Sequence, residues 1–364
     1  MEYVQERIAT LHDLTDAGPP AAADAFAETA VVVPMTDREH ASLAAERVLS
    51  ALEAVDPAAV YVPVRAPPDR IEPFRRWVRS FDLSLRVVWC NAPAVERLLA
   101  DAGLDGGFGK GRDVWLALGP AAETCSRIVV HDADASSYEA GHVARLLAPL
   151  SMGYEFSKGY YARVENDRLY GRLCRLFYEP LVRALDETRR EPIVSYLGAF
   201  RYALAGEFAM TARLARRIRA PRSWGLEVGT LGDAFAQAGF AGTAQVDLGR
   251  HEHDHRAVAG ETGLEGMSRE VAATLFHVLV DHGLRIEYDR LADRYRAAGR
   301  ELVEQYRADA TFNDLTYDAA SEREQVDRYA SAIAPPGEDR RLPAWDAIDL
   351  DPGSVLSAAS ARPE

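Results

Sequence analysis

Lysine is almost missing from this chain of 364 residues: only Lys110 and Lys158 occur, against 40 arginines. Cysteine is scarce too. Cys90, Cys125 and Cys174 are an odd number without a CxxC pair, which suits reduced thiols in a cytoplasm rather than a disulfide framework. No run of about 18 uncharged apolar residues is present, so no membrane-spanning helix is expected. The start, MEYVQERIATLHDLTDAG, is acidic and mixed and does not read as a signal peptide. Positive charge is short overall. A net charge of −14 argues against nucleic acid as a partner, because a phosphate backbone demands a basic stripe.

What is present is a globular composition, 48% hydrophobic and 27% charged, with length enough for one large domain or two smaller ones. No internal repeat is found. An acidic, lysine-poor surface suits a halophile's salt-loaded cytoplasm, although a high-GC genome also replaces Lys by Arg. Both surviving lysines sit beside glycine, in GFGKGRD and FSKGYY. A compact ammonium and a guanidinium fork are not interchangeable at a tight phosphate site.

Along the chain, apolar β-rich runs at Ala30–Pro34, Ala59–Val64, Leu85–Cys90 and Arg127–His131 alternate with stretches of helical spacing. That order predicts a mostly parallel sheet covered on both faces, with ligands beyond the carboxyl ends of its strands. Further strands are expected at Glu155–Val164 and Ala244–Leu248. Helices are expected over Arg168–Asp186, Leu204–Ala220, Leu226–Ala238 and, with breaks, from Ser268 to about Ala332. The first 28 residues read as a helix and a Pro/Ala-rich link. Residues 334–364, rich in Pro, Asp and Ser, read as a mobile tail.

Four stretches carry chemistry. RIVVHDADAS places Asp132 and Asp134 where an apolar strand surfaces; if the chain turns there, both carboxylates can approach one hard cation such as Mg²⁺ or Mn²⁺. The plain alternative is a solvated strand end. GGFGKGRDVW opens a helix at Lys110, and its glycines would let backbone amides and the ammonium approach an anion, although GxxxxGK[ST] is absent. His251, His253 and His255 alternate after a strand, so one imidazole could complete an aspartate-held ion. Lastly, Lys158, Arg163, Arg168, Arg172 and Arg175 form a basic stretch in an acidic chain, either an anion site or a helix face paired with Glu165, Asp167 and Glu179.

Taken in order, VVVP, GKGxxxW, DADA, KGYY, the helix after Gly171, LAGEFA, WGLEVG and QVDLG running into histidine closely resemble glucosyl-3-phosphoglycerate synthases, retaining glycosyltransferases of the GT-A fold. The likeness runs from about Val31 to Arg256 and more faintly beyond. It implies an α/β, Rossmann-like catalytic domain over 29–260 and a helical C-terminal extension over 261–333. It further implies a nucleotide-sugar donor, an anionic acceptor such as 3-phosphoglycerate, and Mg²⁺ or Mn²⁺. On the donor side it assigns Pro34, Gly109, Lys110, Gly111, Asp132, Gly206 and Glu207; for the metal, Asp132, Asp134 and His253, with His251 dispensable. On the acceptor side it assigns Gly171, Arg172, Cys174, His255 and Arg256, and Glu227 would lie against the sugar during transfer. A homodimer is an open expectation. The chain departs from the family pattern at PMTDRE, where Asp37 and Arg38 replace Asn-Glu, and at YVPVRAPPD, which lacks an Asp-Ser-Gly-Ser turn for the nucleoside. Cys174 replaces a threonine and His255 an asparagine.

Two other classes were weighed. A haloacid-dehalogenase phosphatase also opens with a strand and DxD, but near its N-terminus and with a later lysine, whereas no lysine follows Lys158. A non-catalytic GT-A relative would fit the missing turn but not the intact DADA and GKG.

Overall fold

The structure, a computed structural model, describes residues 5–14, 23–187, 191–252 and 263–361. His253, His255 and Arg256 lie outside the described residues. Among those described, ten strands form one sheet: β1 (Ala9–Leu11), β2 (Thr29–Val32), β3 (Met35–Thr36), β4 (Ala59–Arg65), β5 (Leu85–Trp89), β6 (Arg127–Val130), β7 (Phe156–Glu165), β8 (Arg168–Leu169), β9 (Phe208–Thr211) and β10 (Thr243–His251). The main path runs β1-β10-β7-β9-β6-β2-β4-β3, with β5 on β4 and β8 on β7. Only β9, which is antiparallel to β6 and β7, and the short β8 break the parallel arrangement.

The six strands read from sequence are present, because runs such as Val31-Val32 and Ile128-Val129-Val130 can be wholly buried only between two covering layers. Two readings fail. The N-terminal stretch expected as a helix contributes β1, whose Thr10 pairs Gln245 along β10. Residues 208–211, expected within a helix, form β9. Phe208, Ala209 and Met210 are buried there between two strands, and that central slot overrides the local helical preference of the alanine-rich sequence.

The stretch expected as a mobile tail is packed. The Trp345 ring stacks on Trp115 at 4.4 Å, Trp345 Nε1 donates to the Trp115 carbonyl at 2.9 Å, and Trp115 Nε1 donates to the Pro343 carbonyl at 2.9 Å. Arg75 then donates to the Ala359 carbonyl, which holds helix Pro352–Ala359 beside helix Pro68–Val78. No helix among the described residues is long and apolar enough to cross a membrane.

Candidate functional site

Strands β2, β4, β6 and the far half of β7 all run to the same edge of the sheet, and a cavity of about 350 Å³ opens there. Each strand delivers side chains as it ends: Pro34 to Thr36 after β2, Arg65 on β4, Asp132 and Asp134 after β6, Tyr161 and Arg163 on β7. Two helices also start at this edge. Lys110 opens helix Lys110–Thr124, and Glu227 lies in the first turn of helix Leu226–Ala238.

Lys110 sits between two carboxylates, with Nζ 2.6 Å from Asp132 Oδ1 and 3.0 Å from Glu227 Oε1. Loss of hydration disfavours its charge, but Asp132 and then Glu227 outweigh that and raise its pKa above the ordinary lysine value. The helix dipole works against a cation at that N-terminus and in favour of Glu227 at the other, so the pair bridges two helix starts. Gly111 serves this approach in an unexpected way. Its N–H and that of Arg112 are taken by the carbonyls of Ser223 and Arg222, at 3.2 and 3.0 Å. A Cβ at 111 would lie 1.9 Å from the Pro221 carbonyl oxygen. The glycines of GKG therefore let the 221–223 segment close on the helix, rather than freeing those two amides for an anion.

Asp132 and Asp134 both line the cavity, so the chain does turn after β6. Gly206 presses on the first of them, since a Cβ there would fall 2.2 Å from Asp132 Oδ2. Burial, followed by the charge of Asp132, pushes the Asp134 carboxyl well above the carboxylate range. Two crowded, partly dehydrated carboxylates are a donor set that a hard divalent cation would relieve, and in that sense the residues fit Mg²⁺ or Mn²⁺. The described residues hold no group of three or more His, Cys, Asp or Glu placed for a metal, so further ligands must come from elsewhere. The chain leading to His253 ends close by: the Ser136 N–H donates to the Glu252 carbonyl at 2.8 Å, and the Glu252 N–H donates to Ser137 Oγ at 3.0 Å.

The cavity is lined as well by Gly171, Leu173, Cys174, Tyr202 and Arg163. Gly171 has φ +76° and turns the chain into the helix that follows. Arg172, expected to grip the acceptor, instead donates from Nε to Glu322 at 3.2 Å and is not among the lining residues. Arg175 takes the same carboxylate at 2.9 Å, which ties this loop to helix Ala319–Tyr329. Of the basic stretch, the guanidinium that does line the cavity is Arg163, and its buried Nε has no acceptor among the described residues. Arg163 stood in the basic stretch of the sequence, but no periodicity set it apart, because it projects from a strand and not from the helix.

The remaining expectations divide. Pro34, Lys110, Asp132, Gly206, Glu227, Gly171 and Cys174 line the cavity. Gly109 and Gly111 support it from behind. Glu207 is fully buried beneath it, its carboxyl held above the usual range by burial and then by Asp132. Sequence reasoning missed Thr36, Glu39, Arg65 and Asp113. Arg65 Nε meets the buried Asp113 at 2.5 Å, while Glu39 closes a capping box on Thr36. Asp37 and Arg38, noted as departures, lie off the cavity, Asp37 facing Arg70 at 4.0 Å.

A mostly parallel sheet with one antiparallel strand beside its DxD, a lysine and two carboxylates at its carboxyl edge, and a helical C-terminal region define a GT-A glycosyltransferase. No protein-family model matches the chain. Curated relatives do. It is 37% identical over 295 residues to the glucosyl-3-phosphoglycerate synthase of Methanococcoides burtonii, covering 75% of this chain and 71% of that one. It is 36% identical over 285 residues to that of Persephonella marina, covering 74% and 70%. The chain belongs to the glucosyl-3-phosphoglycerate synthase family. Among solved structures it is similar to the Mycobacterium tuberculosis synthase in complex with Mn²⁺, UDP and glucosyl-3-phosphoglycerate, with a TM-score of 0.56 and 25% identity over 77% of this chain and 89% of that one. A complex of that enzyme with Mg²⁺ and UDP gives 0.57 and 25%, over 77% and 88%.

Proposed function

We propose that this protein transfers glucose from a nucleoside diphosphate glucose to 3-phosphoglycerate, with Mg²⁺ or Mn²⁺, and with retention of the anomeric configuration. The observation that carries the reading is Lys110, an ammonium set between Asp132 and Glu227 in a cavity that Arg163 also lines. Breaking the glycosidic bond leaves charge on the departing diphosphate, and a preplaced ammonium in a partly dehydrated site stabilises that charge without reorganising. A divalent ion held by Asp132, Asp134 and His253 would add Lewis-acid stabilisation of the same leaving group. Glu227, only 12% exposed, would face the sugar and favour the positive charge that develops there. Arg163, with Arg172 at the rim, would receive the carboxylate or phosphate of the acceptor in a chain whose net charge of −14 otherwise repels it.

The test is an assay of the purified protein across nucleoside diphosphate sugars with 3-phosphoglycerate and each metal, the product's linkage read by NMR. Transfer of glucose to 3-phosphoglycerate with an α-linked product is expected. Glycerol working as well as 3-phosphoglycerate would reject the acceptor, and no transfer from any donor would reject the enzyme.

A further inference from the structure

Lys158 is left over once the cavity is explained. It is 1% exposed, sits on β7 opposite Phe208 of β9, and its ammonium lies 5.2 Å from the centre of the Phe208 ring. Its Nζ donates a short hydrogen bond to the Ala205 carbonyl. One residue on, the Gly159 N–H donates to the Glu207 carbonyl at 2.9 Å. Together these bonds hold both ends of the Ala205–Glu207 turn, and between them Gly206 presses against Asp132.

From this geometry we infer that Lys158 is a positioning residue: from beneath the cavity it fixes the Ala205–Glu207 turn against Asp132 and thereby sets where the donor sugar rests. The inference rests on the donor reading proposed above. Stability alone gives no reason for the side chain. A buried ammonium is costly to dehydrate, and no carboxylate among the described residues lies within ion-pair distance of it, so a methionine of similar volume would pack there more cheaply. Burial draws its pKa down to about 8, and the more distant charges of Glu227 and Glu207 resist that pull. A chain that writes 40 of its 42 basic residues as arginine keeps lysine at both places where an ammonium meets this turn or its neighbour Asp132. A single tapering stem with one compact charge can reach a carbonyl between two strands where a planar fork cannot.

The experiment is Lys158→Met, compared with wild type by kcat and KM for UDP-glucose, by UDP affinity with Mn²⁺, and by thermal midpoint. The variant is expected to fold, to bind UDP within about threefold of wild type, and to lose about 30-fold in kcat, since a misplaced sugar is felt in the transition state rather than in binding of the nucleotide. A kcat within threefold of wild type overturns the inference, and so does a loss of UDP affinity as large as the loss of kcat, which would indicate general collapse of the cavity. Should Lys158→Met fail to fold, Lys158→Leu also removes the donor to that carbonyl, in a smaller volume; it is expected to bind UDP normally and lose about 30-fold in kcat, and wild-type turnover there overturns the inference. Wild-type protein that transfers no glucose sinks the proposed function instead, whereas active wild type with an unaffected Lys158→Met sinks this inference alone.

Discussion

The parts of the cavity proposed for donor and acceptor differ in how fully their charges are answered within the chain. On the donor side the main charges are already answered within the chain: Lys110 by Asp132 and Glu227, and Arg65 by Asp113. On the proposed acceptor side Arg163 pairs with Glu165 at 3.6 Å but keeps a buried Nε without an acceptor among the described residues. A set of charges that satisfies itself stays ordered before its ligand arrives, but it has to be partly undone on binding. A guanidinium paired through one nitrogen, with its Nε unbonded among the described residues, keeps donor capacity that an anion can take. The side proposed for the donor is thus closed on itself, and the side proposed for the acceptor only partly so.

Breaking the donor side should have the largest effect. Lys110→Ala is expected to lower kcat by about 10²–10³-fold with the fold intact, and Lys110→Arg to recover little, because a planar fork does not reproduce a compact ammonium set between Asp132 and Glu227. Steady-state rates with UDP-glucose and circular dichroism check both. On the acceptor side, Arg163→Ala should raise the KM for 3-phosphoglycerate by about 10–100-fold, each charge-assisted hydrogen bond contributing roughly 1.5–3 kcal/mol, with the KM for donor barely moved. Donor hydrolysis without acceptor should persist in that variant.

A sharper comparison comes from metal binding without donor. Lys110 occupies an oxygen of Asp132, so removing it should tighten Mn²⁺ binding to the free protein by about tenfold even as activity is lost, which electron paramagnetic resonance of free Mn²⁺ can follow. The same titration should weaken as pH falls from about 9 to about 6. The Asp134 carboxyl, raised by burial and by Asp132, then holds a proton that the metal must displace. An affinity that does not change with pH would remove Asp134 from the ligand set. The smallest effect is expected at Arg172. Already bonded to Glu322 and 44% exposed, its replacement by alanine should raise the acceptor KM about threefold to tenfold, less than Arg163→Ala in the same assay. The reverse order would return the acceptor grip to the loop after Gly171.

Sequence by itself determined the parallel sheet, because period and apolar runs such as RIVV and AVYVPV admit no other burial, and it determined which short segments meet at the sheet's carboxyl edge. Asp132, Lys110 and Glu227 were legible because DADA, GKG and WGLEVG, common or weak singly, occur in one specific order, and scarce lysine made Lys110 conspicuous. Only tertiary structure decided that GFGKG packs against the 221–223 backbone, that Arg163 and not Arg172 lines the cavity, and that Arg65 with Asp113 joins the opposite wall. Those facts depend on contacts between residues far apart in the chain, which local periodicity does not encode. The same holds for residues 208–211, made a strand by the slot between β6 and β7, and for the polar C-terminal stretch. That stretch looked loose by composition, yet it is held because Trp345 finds Trp115 some 230 positions away. A single aromatic stack with two indole hydrogen bonds outweighs what thirty residues of proline, serine and aspartate suggest, and no window of sequence contains both rings.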